Sequence, residues 1–127
     1  MVINMDIRNK RSVGSFGEEI AINYLKDCGF YILKQNYRVG RMGEIDIIAR
    51  EKEFVCFVEV KSRNGLIYGS PAEAVNRRKQ DNIRKLASIY IIRNNLHNSC
   101  IRFDVVEIIL NGKELNIKEI NLIRNAF

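Results

Sequence analysis

The chain has 127 residues, 46% of them apolar and 28% charged, a balance that suits a single globular domain and excludes wholesale disorder. No apolar run approaches the ~20 residues of a membrane helix, and residues 1–12 hold no apolar signal stretch, so a cytoplasmic, non-membrane protein is expected. Twenty-one Lys+Arg against 15 Asp+Glu give a net charge of +6 and a pI of about 9.4, which favours an anionic partner, nucleic acid first.

Arg8, Lys10 and Arg11 make residues 1–11 read as a loose basic arm on one domain spanning 1–127. A helix is predicted from Ser12 or Ser15 to Cys28, stopped by Gly29. At 100° per residue, Ile20, Ala21, Tyr24, Leu25 and Cys28 form one apolar arc, and Glu19, Asn23, Lys26 and Asp27 lie opposite. Glu18 falls at the margin of the buried face, where an unpaired carboxylate is costly.

Phe30 to Gln35 then reads as a strand, followed by a loop holding Arg38 and Arg41. Glu44 to Arg50 alternates, with Ile45, Ile47 and Ala49 on one face and Glu44, Asp46 and Ile48 on the other. After a charged turn at residues 51–53, Phe54 to Lys61 is apolar on both faces, as in a central strand covered on both sides. Val55, Phe57, Glu59 and Lys61 share one of those faces.

Pro71 suits a short helical piece over Ala72 to Val75. Asn76 is the expected N-cap of a second helix, Arg77 to Asn94, with the stripe Ile83, Leu86, Ala87, Tyr90 and Ile91. Gln80 lies at the edge of that stripe. Ile101 to Leu110 is a strand, and Asn111-Gly112 signals a two-residue hairpin into Leu115 to Ile120. The order α-β-β-β-α-β-β gives an α/β fold, a mixed sheet of about five strands flanked by helices.

Cys28, Cys56 and Cys100 are widely spaced, form no C-x-x-C pair and read as small core hydrophobes. A single histidine, His97, leaves little material for His-rich metal sites or Ser-His-Asp triads. The chemistry-bearing group is Asp46, Glu59 and Lys61, with Glu18 and Gln80 as outer candidates. A tight hairpin over residues 51–53 sets Asp46 opposite or diagonal to Glu59, with Cβ separations of about 5–8 Å. Carboxylates that close repel unless a cation lies between them. Mg²⁺, or Mn²⁺, suits two carboxylates and the peptide oxygen of Val60 and keeps waters for a substrate phosphate. Lys61 could then orient the attacking water or stabilise charge on the phosphate. On spacing alone, Glu59 and Lys61 read equally as a charged strand end reaching solvent, and Asp46 as a hairpin salt-bridge partner. Glu18 reads equally as a surface residue, and Gln80 more readily as one.

The pattern of a helical Glu18, Asp46 and Glu59-Val60-Lys61 on a hairpin, and a second helix resembles the PD-(D/E)xK nucleases. More narrowly, the chain resembles the YraN family of small bacterial proteins, related in fold to archaeal Holliday-junction resolvases. The match runs through Gly17-Glu18, Asn36-Tyr37-Arg38, Gly43-Glu44-Ile45-Asp46, Phe57 to Arg63, Gly69-Ser70-Pro71, Lys79-Gln80, Arg102 to Val105 and Asn125-Ala126-Phe127. Ile45 stands where the superfamily has proline, and Asn76-Arg77 where Thr-Pro is common. The resemblance implies a restriction-endonuclease-like fold, metal ligation by Asp46 and Glu59, a catalytic Lys61, and accessory roles for Glu18 and Gln80.

The implied activity is Mg²⁺-dependent hydrolysis of phosphodiester bonds, DNA more than RNA, at branched or damaged sites. The alternatives are a nucleic-acid-binding protein with the fold but little turnover, or an interaction protein with a basic face. Arg38, Arg41, Arg63, Arg77 and Arg78 flank the site in sequence and are the expected phosphate contacts. Homodimerisation is expected only by analogy with the resolvases.

Overall fold

The computed structural model describes residues 10–64, 75–111 and 116–127. Seven elements follow in the expected order: α1 (Lys10–Asp27), β1 (Tyr31–Arg38), β2 (Glu44–Glu51), β3 (Phe54–Asn64), α2 (Arg77–Arg93), β4 (Cys100–Asn111) and β5 (Asn116–Ile123). The strands form one open sheet in the order β1-β2-β3-β4-β5. The β3–β4 pair is parallel and the other three pairs are antiparallel. A parallel neighbour cannot be reached by a tight turn, and α2 lies in the crossover between β3 and β4. No described helix is long and apolar enough to cross a membrane.

The two faces of the sheet carry separate cores. Ile20, Ala21 and Leu25 of α1 pack on Ile47, Ala49, Cys56, Val58, Val106 and Ile108. Ile83, Leu86, Ala87 and Tyr90 of α2 pack on Ile48, Val55, Phe57 and Val105. Val55, Cys56, Phe57 and Val58 are fully buried, so β3 is the central, doubly covered strand that its composition indicates. Its expected alternation holds, with Cys56 and Val58 toward α1 and Val55 and Phe57 toward α2.

Local chemistry sets the element ends. Gly29, at φ +95°, closes α1 in a Schellman turn: Phe30 N–H donates to Leu25 O at 2.9 Å and Gly29 N–H to Lys26 O at 3.0 Å. Asn76 caps α2, its side chain accepting the Lys79 N–H at 2.9 Å. Lys52, at φ +53°, makes the turn that pairs Glu51 with Phe54. At Gly17 a Cβ would stand 2.7 Å from Ser62 Oγ. The bare backbone there lets α1 come close to β3 and carries Glu18 toward the sheet.

Several expectations need correction. Lys10 and Arg11 belong to α1 rather than to a loose arm. Cys28 lies beyond the end of α1 and is exposed, as is Cys100, and only Cys56 is a core residue. Strand β1 continues through Asn36, Tyr37 and Arg38 to pair Arg38 with Glu44, because a bulge near Leu33 and the positive φ of Asn36 let it follow β2 to its end. Asn111 pairs with Asn116 and so ends β4 rather than opening a turn, while Gly112 of the expected hairpin lies outside the described residues. The helical piece expected over Ala72 to Val75 lies outside the described residues except for Val75, which is buried.

The most consequential departure is in β2. Ile47 and Ala49 face α1, but Ile45 joins Ile48 in the α2 core. The alternation slips at Asp46. The β2–β3 ladder ends at Ile47–Val58, and the next partner of β3 is a side chain, with Val60 N–H donating to Asp46 Oδ2 at 2.9 Å. Where the two backbones part, a carboxylate takes over a carbonyl's place.

Candidate metal centre

Asp46 is thus fixed by the backbone of β3 at the mouth of a fork between two strands. Three carboxylates meet there: single oxygens of Glu18, Glu44 and Asp46 lie within 4.8 Å of one another. Asn36 bridges them from β1. With its amide assigned from its surroundings, the Asn36 nitrogen donates to Glu18 Oε2 at 2.9 Å and to Glu44 Oε1 at 2.6 Å. Glu44 is also held by Arg38, at 2.9 Å. This trio accounts for the position of Glu18 at the margin of the α1 arc. Burial raises the Glu18 pKa, and the charges of Asp46 and Glu44 raise it further.

Glu59 stands outside the trio and couples to Asp46 by charge. Burial, and then the Glu59 charge, push the Asp46 carboxyl up to about 7, while the Val60 N–H and Lys79 oppose the rise. Glu59 is 2% exposed, and its Oε1 is paired with Lys79 of α2 and, at 3.8 Å, with Lys61. Its Oε2 is buried and makes no hydrogen bond among the described residues. Burial lowers the Lys61 pKa, and the neighbouring Lys79 charge lowers it further. Burial also works against the Lys79 charge, but the hydrogen bond and charge of Glu59 outweigh it and its pKa rises.

Of the sequence candidates, Glu18, Asp46, Glu59 and Lys61 come together around the fork. Val60 contributes its N–H to Asp46. Gln80 does not join the carboxylates through its amide nitrogen, because Nε2 donates to Val75 O at 2.8 Å, so its polarity serves the entry to α2. Arg63 pairs with the buried Glu107, which Asn121 also reaches at 3.4 Å. Its side chain is only 11% exposed, so it is an internal charge rather than a free surface one. Arg38 and Arg41 flank a shallow cavity of about 260 Å³ with Gly40, Gly43 and Glu44, beside the trio. Arg77 and Arg78 are exposed on the first turn of α2, Arg77 lying 3.4 Å from Asp81.

Sequence reasoning missed three contributors. Lys79 precedes Ile83 by four residues and Leu86 by seven, so the helical period already placed it on the buried stripe. Glu44 shares its strand face with Asp46 and was overlooked because it opens the strand. Asn36 stands in the matched Asn36-Tyr37-Arg38 segment but was given no role, since its place depends on the bulged path of β1.

The donor set fits a hard divalent cation. The candidate ligands are all oxygens, from four carboxylates and the Val60 carbonyl; one carboxylate oxygen is buried with no hydrogen-bond partner among the described residues, and the pair Asp46–Glu59 repels in the absence of a cation. Asp46 and Glu59, with Glu18 or Glu44, would hold such an ion. When bound it would polarise a phosphoryl oxygen and a water.

A family model described as "Uncharacterised protein family UPF0102" matches residues 17–108. A UPF0102 protein of Acetivibrio thermocellus is 54% identical over 121 residues, covering 94% of this chain and 93% of the relative. UPF0102 proteins of two Clostridium botulinum strains, Hall and 657, are 52% and 53% identical over 118 residues, each covering 92% of this chain and 94% of the relative. The fork residues lie within the matched segment.

Proposed function

The chain belongs to the UPF0102 family, and we propose that it is a Mg²⁺- or Mn²⁺-dependent endonuclease of PD-(D/E)xK type that hydrolyses DNA phosphodiester bonds, at branched or damaged sites, in the cytoplasm. The observation that carries this reading is the fork. Asp46 leaves the β2–β3 ladder and takes the Val60 N–H, next to a buried Glu59 with one oxygen unpartnered among the described residues. A hairpin that served only structure would continue its ladder through residues 46 and 59 and would not bury a second carboxylate there.

The residues divide the work as follows. Asp46 and Glu59 would hold the cation, with Glu18 and Glu44 as further oxygen donors beside it. Lys61, two residues from Glu59 on the same strand face, meets the charge that grows on the phosphate. Its lowered pKa also suits it to pass a proton to or from the attacking water. Arg38 and Arg41, beside the cavity next to the trio, hold phosphates on either side of the scissile bond.

A panel of labelled single-stranded, duplex, flap and four-way-junction DNAs, with Mg²⁺ and with Mn²⁺, tests the reading. Cleavage by the wild type and none by Asp46→Asn is the expected result. Tight, metal-independent binding with no cutting of any substrate would replace it with that of a nucleic-acid-binding protein that keeps the fold.

A further inference from the structure

The basic first turn of α2 meets the site through Lys79, which pairs with Glu59. We propose that Lys79 is the counter-ion that Glu59 keeps until a divalent cation and a phosphate arrive together, so that metal and nucleic acid bind cooperatively. This rests on the nuclease reading of the same site.

Glu59 is 2% exposed, and an ionised carboxylate at that depth requires a positive partner. Lys79 supplies it through Oε1, and Lys61 stands further off at 3.8 Å. A cation seated between Asp46 and Glu59 competes with Lys79 for the same carboxylate, because a second positive charge at that range repels the first. The Lys79 side chain is 40% exposed. The ammonium meets the buried carboxylate while the side chain is partly open to solvent, so it can exchange Glu59 for an anion without crossing the core.

The helix itself favours that exchange. The first turn of α2 holds Arg77, Arg78 and Lys79 and no acidic residue. Cations at a helix N-terminus oppose the macrodipole, and an anion docked there relieves the repulsion. A phosphate beside this turn would draw Lys79 off Glu59 and free the carboxylate for the metal. Metal without phosphate must instead bind a carboxylate that Lys79 still holds through Oε1, and the repulsion weakens its binding. By linkage, the metal then strengthens phosphate binding by the same factor.

Titration calorimetry of MnCl₂ into the full chain at pH 8, with and without a saturating phosphorothioate duplex that resists cleavage, tests this. The duplex should tighten Mn²⁺ binding to the wild type by about 5- to 100-fold. Lys79→Met should bind Mn²⁺ alone about tenfold more tightly than the wild type and lose most of the duplex effect. Lys79→Arg, which keeps the charge, should behave as the wild type. Equal Mn²⁺ affinity with and without duplex in the wild type would overturn the proposal, whatever the variants do. So would a folded Lys79→Met with wild-type or weaker affinity. Asp46→Asn separates the two levels. If it leaves Mn²⁺ binding intact, the metal site itself is misassigned. If it abolishes binding while Lys79→Met changes nothing, only the role of Lys79 fails.

Discussion

Replacing Asp46 by Asn should make the metal-free protein more stable, an unusual outcome for a residue in a buried polar site. The Asp46 carboxyl titrates near 7 rather than 3.8, a rise of about three units, first from burial and then from the Glu59 charge. At about 1.4 kcal/mol per unit, the ionised form costs the fold at most about 4 kcal/mol. Part of that repulsion is shared with Glu59, so about 1–3 kcal/mol is the expected gain for Asp46→Asn. The amide oxygen can still accept the Val60 N–H, so the strand fork is preserved. The sign follows from linkage: a carboxylate with a raised folded pKa costs nothing below pH 3.8, costs progressively more as pH rises toward 7, and costs the full amount above it. Urea denaturation in EDTA should therefore show the variant and the wild type nearly equal at pH 4.5 and the variant clearly ahead at pH 8. Mg²⁺ should reverse the order. At 1,000 times its dissociation constant a bound ion adds about 4.1 kcal/mol to the wild type alone, more than the whole expected lead of the variant. A variant less stable than the wild type by 1 kcal/mol or more at pH 8 in EDTA would refute the reasoning. It would mean that the Asp46 charge is held in favourable contacts rather than in repulsion.

Three further outcomes are expected. Lys61→Ala should abolish cleavage of any substrate the wild type cuts while lowering DNA affinity only modestly, read by a cleavage assay beside fluorescence anisotropy. Cutting at the wild-type rate would reduce Lys61 to a strand-end charge. Arg38→Ala with Arg41→Ala should weaken binding evenly across sequences and shallow the plot of log K against log salt by up to about two units, at about 0.9 per phosphate released. An unchanged slope would move the binding face elsewhere. Far from the fork, Arg124 and Arg102 hold Glu51 at 2.7–2.8 Å and bring its pKa down to about 2 from 4.5. This contribution is fully present above pH 4.5 and is lost as pH falls through 2. Glu51→Gln should therefore cost about 1–3 kcal/mol at pH 7, discounted because Arg124 is half exposed, and much less in strong acid, read by denaturation across pH.

Much of the fold was legible because its signals are local. The period of α2, its Asn76 cap, the Gly29 stop and the doubly apolar β3 each follow from a few neighbouring residues, and each is found in place. The pairing of Asp46 with Val60 was not legible. Alternation assigns Ile45 to the α1 face with Ile47, and only the parting of β2 from β3 moves it to the α2 core. The same long-range geometry recruits Asn36 and Glu44, whose places depend on how β1 follows β2 past its bulge. Lys79 and Gln80 illustrate a finer limit. Both lie on the helical stripe, and their neighbours decide which meets the carboxylates: Glu59 takes the lysine, and the carbonyl of Val75 takes the glutamine. Arg63 read as a surface cation because Glu107, 44 residues later in the chain, is invisible from its own strand.

The central claim is that Asp46 and Glu59 jointly hold a divalent cation. Calorimetric titration of Mn²⁺ into the wild type, Asp46→Asn and Glu59→Gln at pH 8 tests it most directly. The account predicts one ion bound by the wild type and nearly none by either folded variant. Unchanged affinity in either one would contradict it.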